Sequence, residues 1–414
     1  MNRIAVITIV CVVAAGCQDD RPKAKTTDAH NFPGSADLAK TKSPDESQQS
    51  VNSDQLQLVA GFWGPMPTGV AVSKTGRIFV NFPRWGDPVE YTVAEVKNGH
   101  ATPYPNLDIN KIDDAHPDKC LVSVQSVVVD EQDRLWILDT GSINMGPHKP
   151  NGPKLLCVDL SSNKVVKTID FKKSPEAIRP TTYLNDIRFD LNRETGGLGF
   201  ITDSSDSGHN GIIVVDLESG QAWRRLDGHP STKAQENFAP TVEGELLLAR
   251  TPGKPDAYPK IGSDGIALSA DKKTLFYCPL ISRHLYSVSV DALADRNRSD
   301  ADVAATIKDL GDRGYCSDGL GTDSRGRILL TDYEHNALHA RDASGQNDTV
   351  LVRDPRIIWP DSMAFGADGF VYFTANQLNR QPRFHNGKDL RQQPYSLFRL
   401  PLNAGSRTET AMAR

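Results

Sequence analysis

Residues 318–332 read DGLGTDSRGRILLTD: a polar residue, a short apolar run, a turn and then a run of strand-forming residues. The same phrase occurs five more times along the chain. The other copies read TGVAVSKTGRIFV (68–80), QSVVVDEQDRLWILD (125–139), NDIRFDLNRETGGLGFITD (185–203), DGIALSADKKTLFY (264–277) and DSMAFGADGFVYF (361–373). A strand–turn–strand unit cannot bury its apolar face alone, and radial stacking of such units solves this problem. The repeat therefore predicts an all-β fold, a six-bladed β-propeller.

Each repeat is followed by a third β-rich run, for example LLCVDL (155–160) in the second blade and ALHARDA (337–343) in the fifth. The segment QLQLVAGF (55–62) has no repeat of its own. It is predicted to close the ring by pairing with the last repeat. In the long interval between the third and fourth repeats, ELLLA (245–249) is a candidate outer strand.

The overall composition is that of an ordinary soluble protein. The chain has 414 residues, of which 38% are hydrophobic and 24% charged, and its formal net charge is −5. Nucleic-acid binding requires a clustered basic face, which this mixed charge pattern does not predict. We therefore expect no nucleic-acid partner, and no feature of the sequence indicates a protein partner.

Six polar residues occupy the same register, five positions before the turn of each repeat. They are Thr68, Gln125, Asn185, Asp264, Asp318 and Asp361. Because these positions begin the innermost strands, we expect the side chains to ring one mouth of the central channel. Polar groups converging on an apolar scaffold are typical of a small-molecule or ion site.

Two interpretations of this ring remain open. Carboxylate, amide and hydroxyl oxygens are hard ligands, which suit Ca²⁺ or Mg²⁺ better than zinc. Asp and Asn also cap tight turns by bonding the backbone two residues on, and the glycines after Asp264 and Asp318 agree with that simpler role.

The N-terminus has the pattern of an export signal. Asn2-Arg3 precedes an apolar run over residues 4–15, which is too short to span a bilayer. The run ends in VAAGC (13–17), which resembles a bacterial lipobox and implies cleavage before Cys17 and lipidation of that residue. The other possibility is an ordinary secretory signal in which Cys17 is incidental. We expect an extracytoplasmic protein that meets a membrane only through its lipid, and Gln18 after the cysteine favours the outer membrane.

The remaining domain boundaries follow from composition. Residues 18–54 are rich in Lys, Asp, Ser, Thr, Pro and Gln, and such a segment buries too little apolar surface to order itself. They are predicted to be a disordered tether between residues 1–17 and a propeller over 55–403, followed by a tail over 404–414.

Four cysteines remain after the export signal: Cys120, Cys157, Cys278 and Cys316. An even number outside the cytoplasm allows two disulfides. We favour Cys120–Cys157 and Cys278–Cys316, which are neighbours in the repeat. The alternative is four buried thiols that act as small hydrophobic side chains.

Several ordered motifs resemble the yellow/major royal jelly protein family, including its bacterial, L-dopachrome tautomerase-related members. They are FPRW (82–85), RLWILDTG (134–141), KLLCVDL (154–160), YLNDIRFD (183–190), FITDSSDSGHNGIIVVDLESGQAWRRL (200–226), GIALSADKKTLFYCPLISRHLYSV (265–288), WPDSMAF (359–365) and FTANQLNR (373–380). The resemblance implies a six-bladed propeller and export. It implies no single activity, because family members include dopachrome-converting proteins, binders of small amines or sterols, and secreted nutrients.

A more distant likeness is to the gluconolactonase/senescence-marker propellers, which hold a divalent metal at the channel mouth with one Glu, two Asn and one Asp. Asn185 and Asp318 match two of these ligands, and Asp264 stands where the second Asn would be. The Glu is missing, because Pro67 and Thr68 occupy that region.

A few other residues are candidates for chemistry or binding. His209 beside Asp206, and His335 beside Glu334, could supply a general base, although loop histidines are more often surface groups. Arg84 and Trp85 could line the channel funnel and stack on a flat ligand, or simply pack.

These observations predict a propeller that binds a small metabolite at the channel mouth, with no assigned catalytic residue. The alternative is a metal-dependent enzyme, either a dopachrome tautomerase-like isomerase or a gluconolactonase-like hydrolase, that uses the acidic ring.

Overall fold

A computed structural model describes residues 49–402. Its strands form six four-stranded antiparallel sheets arranged as the blades of a β-propeller, which confirms the predicted fold. The innermost strands contact one another in sequence around the ring, and the sixth also contacts the first. The predicted export signal, most of the tether and the C-terminal tail lie outside the described residues.

The chain enters the propeller through β1 (Gln57–Phe62). The first blade contains β2 (Val70–Val72), β3 (Ile78–Asn81), β4 (Val93–Lys97) and β5 (His100–Pro103). The second contains β6 (Val124–Val129), β7 (Arg134–Asp139), β8 (Lys154–Asp159) and β9 (Lys164–Asp170). The third contains β10 (Leu184–Asp190), β11 (Leu198–Asp203), β12 (Ile212–Asp216) and β13 (Ala222–Arg225).

A small separate hairpin, β14 (Thr241–Val242) and β15 (Glu245–Leu246), follows the third blade. The expected outer strand at ELLLA is therefore wrong: its first two residues pair only within this hairpin. The fourth blade contains β16 (Ser263–Leu268), β17 (Thr274–Pro279), β18 (His284–Ser289) and β19 (Lys308–Asp312). The fifth contains β20 (Leu320–Thr322), β21 (Ile328–Asp332), β22 (Ala337–Arg341) and β23 (Thr349–Arg353), and the sixth contains β24 (Pro360–Phe365), β25 (Phe370–Ala375) and β26 (Tyr395–Pro401).

The sixth blade is completed by β1, as predicted. Antiparallel pairing places Gln57 opposite Arg399 and Phe62 opposite Tyr395. The ring is thus closed by hydrogen bonds between the two ends of the domain, which removes an open sheet edge. Ordered contacts begin slightly before β1, since Val51 pairs with Arg353 although it lies in the segment assigned to the tether.

The helices are short. They are α1 (Leu107–Asn110), α2 (Val290–Ala294) and α3 (Asp300–Ala304), with 3₁₀ turns at Ser53–Gln55, Phe171–Lys173, Pro230–Thr232, Leu378–Arg380 and Pro382–Phe384. Within residues 49–402, no helix has the length and apolar character needed to cross a membrane.

The core lies between the blades rather than at the centre. Each blade–blade interface holds an apolar cluster; the one between the second and third blades, for example, includes Trp136, Ile187 and Ile213, all almost fully buried. Burial of these side chains contributes most of the stability. The centre is left for polar side chains that enter the channel.

The cysteines do not pair. Cys120, Cys157, Cys278 and Cys316 are free and buried in the structure, so the favoured disulfides are absent and the alternative of four buried thiols describes it. Burial raises the pKa of Cys157 to about 11, which keeps that thiol protonated and unreactive at neutral pH.

Candidate functional site

Five of the six predicted ring residues meet at one mouth of the channel. Gln125, Asn185, Asp264, Asp318 and Asp361 all line a narrow space there, and each is almost fully buried. Its volume is about 10 Å³, and that of the adjoining space at the mouth is about 20 Å³. This is room for roughly one water molecule in each.

Thr68 is the exception. Its hydroxyl accepts a hydrogen bond from Asn81 Nδ2 at 2.8 Å and donates to the Gln125 carbonyl at 3.2 Å. The first contact lies within the first blade, and the second joins it to the second blade. Thr68 therefore links the two blades and does not line the channel mouth.

β-Bulges explain how these positions reach the channel. In β10 two residues, Asn185 and Asp186, lie opposite a single residue of β11, and β16 and β24 have the same irregularity around Asp264 and Asp361. A bulge bends the strand and re-aims the side chains. In each of these inner strands, the polar residue of the repeat therefore lies in a bulge and leaves the regular strand pairing.

The three acids, Asp264, Asp318 and Asp361, form what we call the acid triad. Asn185 Nδ2 donates to Asp264 at 2.7 Å, Trp359 Nε1 to Asp318 at 2.7 Å, and Asn376 Nδ2 to Asp361 at 2.6 Å. These donors are all neutral. The carboxyl groups of Asp264 and Asp318 also interact directly: the interaction raises the pKa of Asp264 and lowers that of Asp318, which favours a proton on Asp264.

Burial is the main reason that the pKa values of the triad are raised. It raises the pKa of Asp318 to about 6, and it raises the pKa of Asp264 and Asp361 well above the ordinary range. The charge of Asp318 adds to the effect on both neighbours. The strongest charged neighbours of the triad are thus other acids, an arrangement typical of functional carboxyl groups.

The tryptophan that holds Asp318 has an unusual backbone. Trp359 is fully buried and adopts φ 55°, the left-handed region that bulky residues rarely occupy. Its ring stacks on Tyr333 with centroids 4.0 Å apart. Such a conformation costs about 1–3 kcal/mol and persists only where the surroundings impose it. Holding the Trp359 indole against Asp318 therefore costs the fold some stability.

Aromatic and sulfur-containing side chains cover the mouth. Trp85 Nε1 donates to the Tyr183 hydroxyl at 2.7 Å, and that hydroxyl donates to Gln125 Oε1 at 3.1 Å. Above them, Arg383 Nη1 lies 3.2 Å from Met145 Sδ. Met145 is itself held in left-handed backbone, at φ 54°.

Arg383 has no carboxylate partner among residues 49–402. Its Nε is buried and lacks a hydrogen bond, and burial lowers its pKa to about 10, so that it remains a cation at neutral pH. The guanidinium is held by packing rather than by an ion pair. It can leave the mouth without breaking a salt bridge within the described part of the chain.

The residues that cover the mouth were largely missed by sequence reasoning, which named only Trp85. One signal was present: Tyr183 and Trp359 each stand two positions before a ring residue, in YLN and WPD. Arg383 and Met145 lie on loops outside the repeat, and no pattern in the sequence indicates them.

The other sequence candidates serve structural roles or lie elsewhere. His209 is 60% exposed and does not line the mouth, and Glu334 binds Arg283 through both carboxylate oxygens, at 2.7 and 2.9 Å. His335 contacts Asp332 at 2.8 Å. Arg84 donates to the backbone carbonyls of Val122, Val89 and Asn110, so it braces the first blade rather than stacking on a ligand.

The acid triad does not form a ready-made metal site. Among residues 49–402, no group of three or more His, Cys, Asp or Glu side chains is arranged to hold a metal ion. Each triad carboxyl already accepts a hydrogen bond from a neutral donor, and Asp318 raises the pKa of Asp264 further. The residues therefore do not fit a divalent cation as they stand, and we derive no chemistry through one.

Comparison with known proteins gives the family. The model for the major royal jelly protein family matches residues 122–406, which begin just before the second blade. Among curated proteins, the chain is 28% identical to major royal jelly protein 7 of Apis mellifera over 60% of this chain and 52% of that protein. It is 25% identical to protein yellow of Drosophila guanche over 54% and 39%, and to the yellow-related salivary protein SP04 of Phlebotomus argentipes over 62% of each.

The chain thus spans about half the length of the first of these relatives. Among solved structures, a putative gluconolactonase superposes with a TM-score of 0.51 at 10% identity, over 86% of this chain and 94% of that one. This likeness concerns the fold alone. The match of the family model over most of the propeller, together with the ordered motifs, shows that the chain belongs to the major royal jelly protein family.

Proposed function

We propose that this protein is an exported, lipid-anchored propeller that binds a small molecule through the acid triad. The observation that carries the proposal is the convergence of three buried carboxyl groups whose strongest charged neighbours are acids. Burying such groups without a counter-charge is costly. A fold that keeps them at a channel mouth is best explained by a ligand that compensates for the cost.

The chemistry of the mouth favours a ligand with a positively charged amine. An ammonium group placed against the triad would replace shared protons by ion pairs and charge-assisted hydrogen bonds. Trp85 and Tyr183 offer aromatic surface directly above, which suits a ligand that carries a ring. The space is too small for such a molecule unless Arg383 and Met145 move aside, so binding is expected to open the mouth.

Export and lipid anchoring are supported by the leader pattern and the cysteine at residue 17. A relative named as a salivary protein agrees with export. Labelling cells with radioactive palmitate would test the anchor: incorporation that disappears in Cys17→Ala is expected, whereas equal labelling of both chains would contradict it.

The ligand proposal can be tested with three probes that share a phenyl ring: phenethylamine, 2-phenylethanol and 3-phenylpropionate. Thermal unfolding of the chain from residue 18 onward should shift upward with the amine only. Asp318→Asn keeps the hydrogen-bonding shape but not the charge, and should abolish the shift. An equal shift with the neutral alcohol, or one that persists in Asp318→Asn, would refute an amine site.

The pH dependence of binding gives a second criterion. The amine needs ionised carboxylates, and Asp318 ionises with a pKa raised by burial to about 6. Affinity for phenethylamine is therefore expected to increase as the pH rises through this value. The affinity of a ligand that merely fills space would not change.

A second candidate function is proton transfer in an isomerase of the tautomerase type. It is favoured by the direct interaction of Asp264 and Asp318, which raises the pKa of one carboxyl and lowers that of the other, because two such carboxyls can act as acid and base. Turnover of dopachrome that Asp318→Asn eliminates would support it. A gluconolactonase-like hydrolase that depends on Ca²⁺ or Mg²⁺ remains a prediction, to be tested by lactone hydrolysis with and without added metal.

A further inference from the structure

A much larger cavity lies at the other end of the channel. Its volume is about 390 Å³, within the range of small-molecule sites. We call it the lower cavity. It is lined by residues further along the inner strands, including Val72, Val128, Phe189, Leu268, Met363 and Phe365.

The lower cavity is separated from the acid triad by a polar constriction. Ser126, Asp186 and Ser362 line both the narrow space at the ring and the lower cavity, so the two spaces adjoin at this level. Arg188 crosses the channel at this level. Its Nη2 donates to the Leu320 carbonyl in the fifth blade at 2.7 Å, and its Nη1 lies 2.7 Å from Asp186. The two ends of the channel are thus different compartments.

The walls are apolar and partly aromatic. Phe189 comes from the third blade and Phe365 from the sixth, which lie on opposite sides of a six-bladed ring. The Phe365 ring packs over Gly321, where a Cβ would come within 2.7 Å of it. Phe189 contacts Trp136 with ring centroids 5.0 Å apart. These rings are fixed in place and half-buried, as in a preformed apolar site.

The charged groups around the cavity are already compensated. Asp130 accepts from Arg134 Nε at 2.8 Å and from Trp136 Nε1 at 2.7 Å, and Asp323 accepts from Arg327 Nε at 2.8 Å. At the rim, Lys272 pairs with Glu131 at 2.6 Å. A charged ligand would find no free counter-charge here, so an uncharged one is favoured.

Arg188 offers the polar contact at the inner end. A guanidinium has five N–H donors. Its contacts with Ile187, Asp186 and Leu320 account for three of these within the described structure. Because Arg188 lines the lower cavity, we expect its remaining donors to reach a hydrogen-bond acceptor on a ligand there.

We propose that the lower cavity is a second binding site, for an uncharged aromatic or similarly flat apolar molecule with one hydrogen-bond acceptor directed at Arg188. The site is independent of the amine site proposed at the acid triad. The lower cavity is larger than that site, its charged groups are already paired, and a ligand can enter it without displacing side chains.

The neutral fluorescent ketone Prodan tests this proposal, since it combines a naphthalene ring with a carbonyl acceptor. Titrating a trace of Prodan with the chain from residue 18 onward should give a saturable blue shift. Ala364→Trp and Ala270→Trp fill the cavity from two different blades, and each should weaken binding about tenfold or more. Val166→Trp adds the same ring on an outer strand and should leave binding unchanged.

The acceptor is tested by competition. 2-Acetylnaphthalene should displace Prodan at lower concentration than 2-ethylnaphthalene, which lacks the carbonyl. Thermal unfolding of each variant establishes that it is folded, and having two filling variants guards against one that is not. Absence of a saturable shift, or equal binding by wild type and both folded filling variants, would overturn the proposal, and equal displacement by the two competitors would overturn the role of Arg188.

Discussion

Replacing Asp318 by Asn should make the protein more stable at neutral pH. Burial raises the pKa of this carboxyl to about 6 from an ordinary value of 3.8. At 1.36 kcal/mol per pKa unit, the difference corresponds to about 3 kcal/mol. Trp359 Nε1 donates to Asp318, and an amide oxygen can accept that bond equally well, while the amide nitrogen can donate to Asp264. The substitution thus removes the ionisation and retains the geometry.

The sign follows from proton binding. Between about pH 4 and pH 6 the folded protein holds a proton on Asp318 that the unfolded chain has already released. Stability contributed by this group therefore decreases as the pH rises through that window. From about pH 5 to pH 7.5 the expected loss is about 1.4 kcal/mol, which Asp318→Asn should not show.

The assay is equilibrium unfolding in urea at both pH values, on wild type, Asp318→Asn and Asp118→Asn. Asp118 is an exposed acid on a surface loop, so its variant should follow wild type. The quantity of interest is the change with pH of the stability difference between Asp318→Asn and wild type. If that difference is the same at both pH values, the pKa of Asp318 is not raised in the fold; if the variant loses stability relative to wild type at the higher pH, the carboxylate is stabilised. Either result would contradict our account of the triad.

Three further predictions concern other parts of the molecule. Because burial raises the pKa of Asp264 and Asp361, and each triad carboxyl is already bonded to a neutral donor, added Ca²⁺ should leave the thermal midpoint at neutral pH unchanged relative to EDTA; a rise that Asp318→Asn abolishes would instead establish the predicted cation site. Burial lowers the pKa of His339, but bonds to Asp332 and Asp348 outweigh this and raise it; the stability this histidine contributes is present below about pH 6.5 and lost as the pH rises through the raised value, so His339→Gln should flatten the pH profile of the thermal midpoint there. Finally, the four buried thiols should react with Ellman's reagent only after unfolding without reductant; no released thiol under those conditions would mean two disulfides.

The shared position of the ring residues in each repeat predicted which side chains meet at the channel mouth, which residue type alone could not do. Gln125, Asn185, Asp264, Asp318 and Asp361 converge because each begins an inner strand, and a position repeated in every blade must recur around the axis. Thr68 occupies the same register but bonds the neighbouring blade instead. The ring position alone does not say whether a side chain turns to the channel or to an adjacent strand.

The outermost strands of the first five blades were not predicted, unlike β1. The reason is visible in β9, whose residues are largely exposed and carry little apolar signal. Such a strand forms because a neighbour offers hydrogen bonds, not because of its own burial. The expected disulfides failed for a similar reason: adjacency in the repeat does not bring two thiols together.

By itself, the sequence determined the propeller, the number of blades and five of the six residues that ring the channel, because each depends on a pattern repeated in every blade. The closing strand followed because the last repeat needed a partner. The tertiary structure decided what surrounds that ring. Arg383 and Met145 reach the mouth from loops outside the repeat, Arg188 divides the channel by contacting a blade two positions away, and the lower cavity is the space left between inner strands. Protonation of the triad was likewise decided there, since a carboxyl pKa depends on burial and on neighbours brought together from three blades.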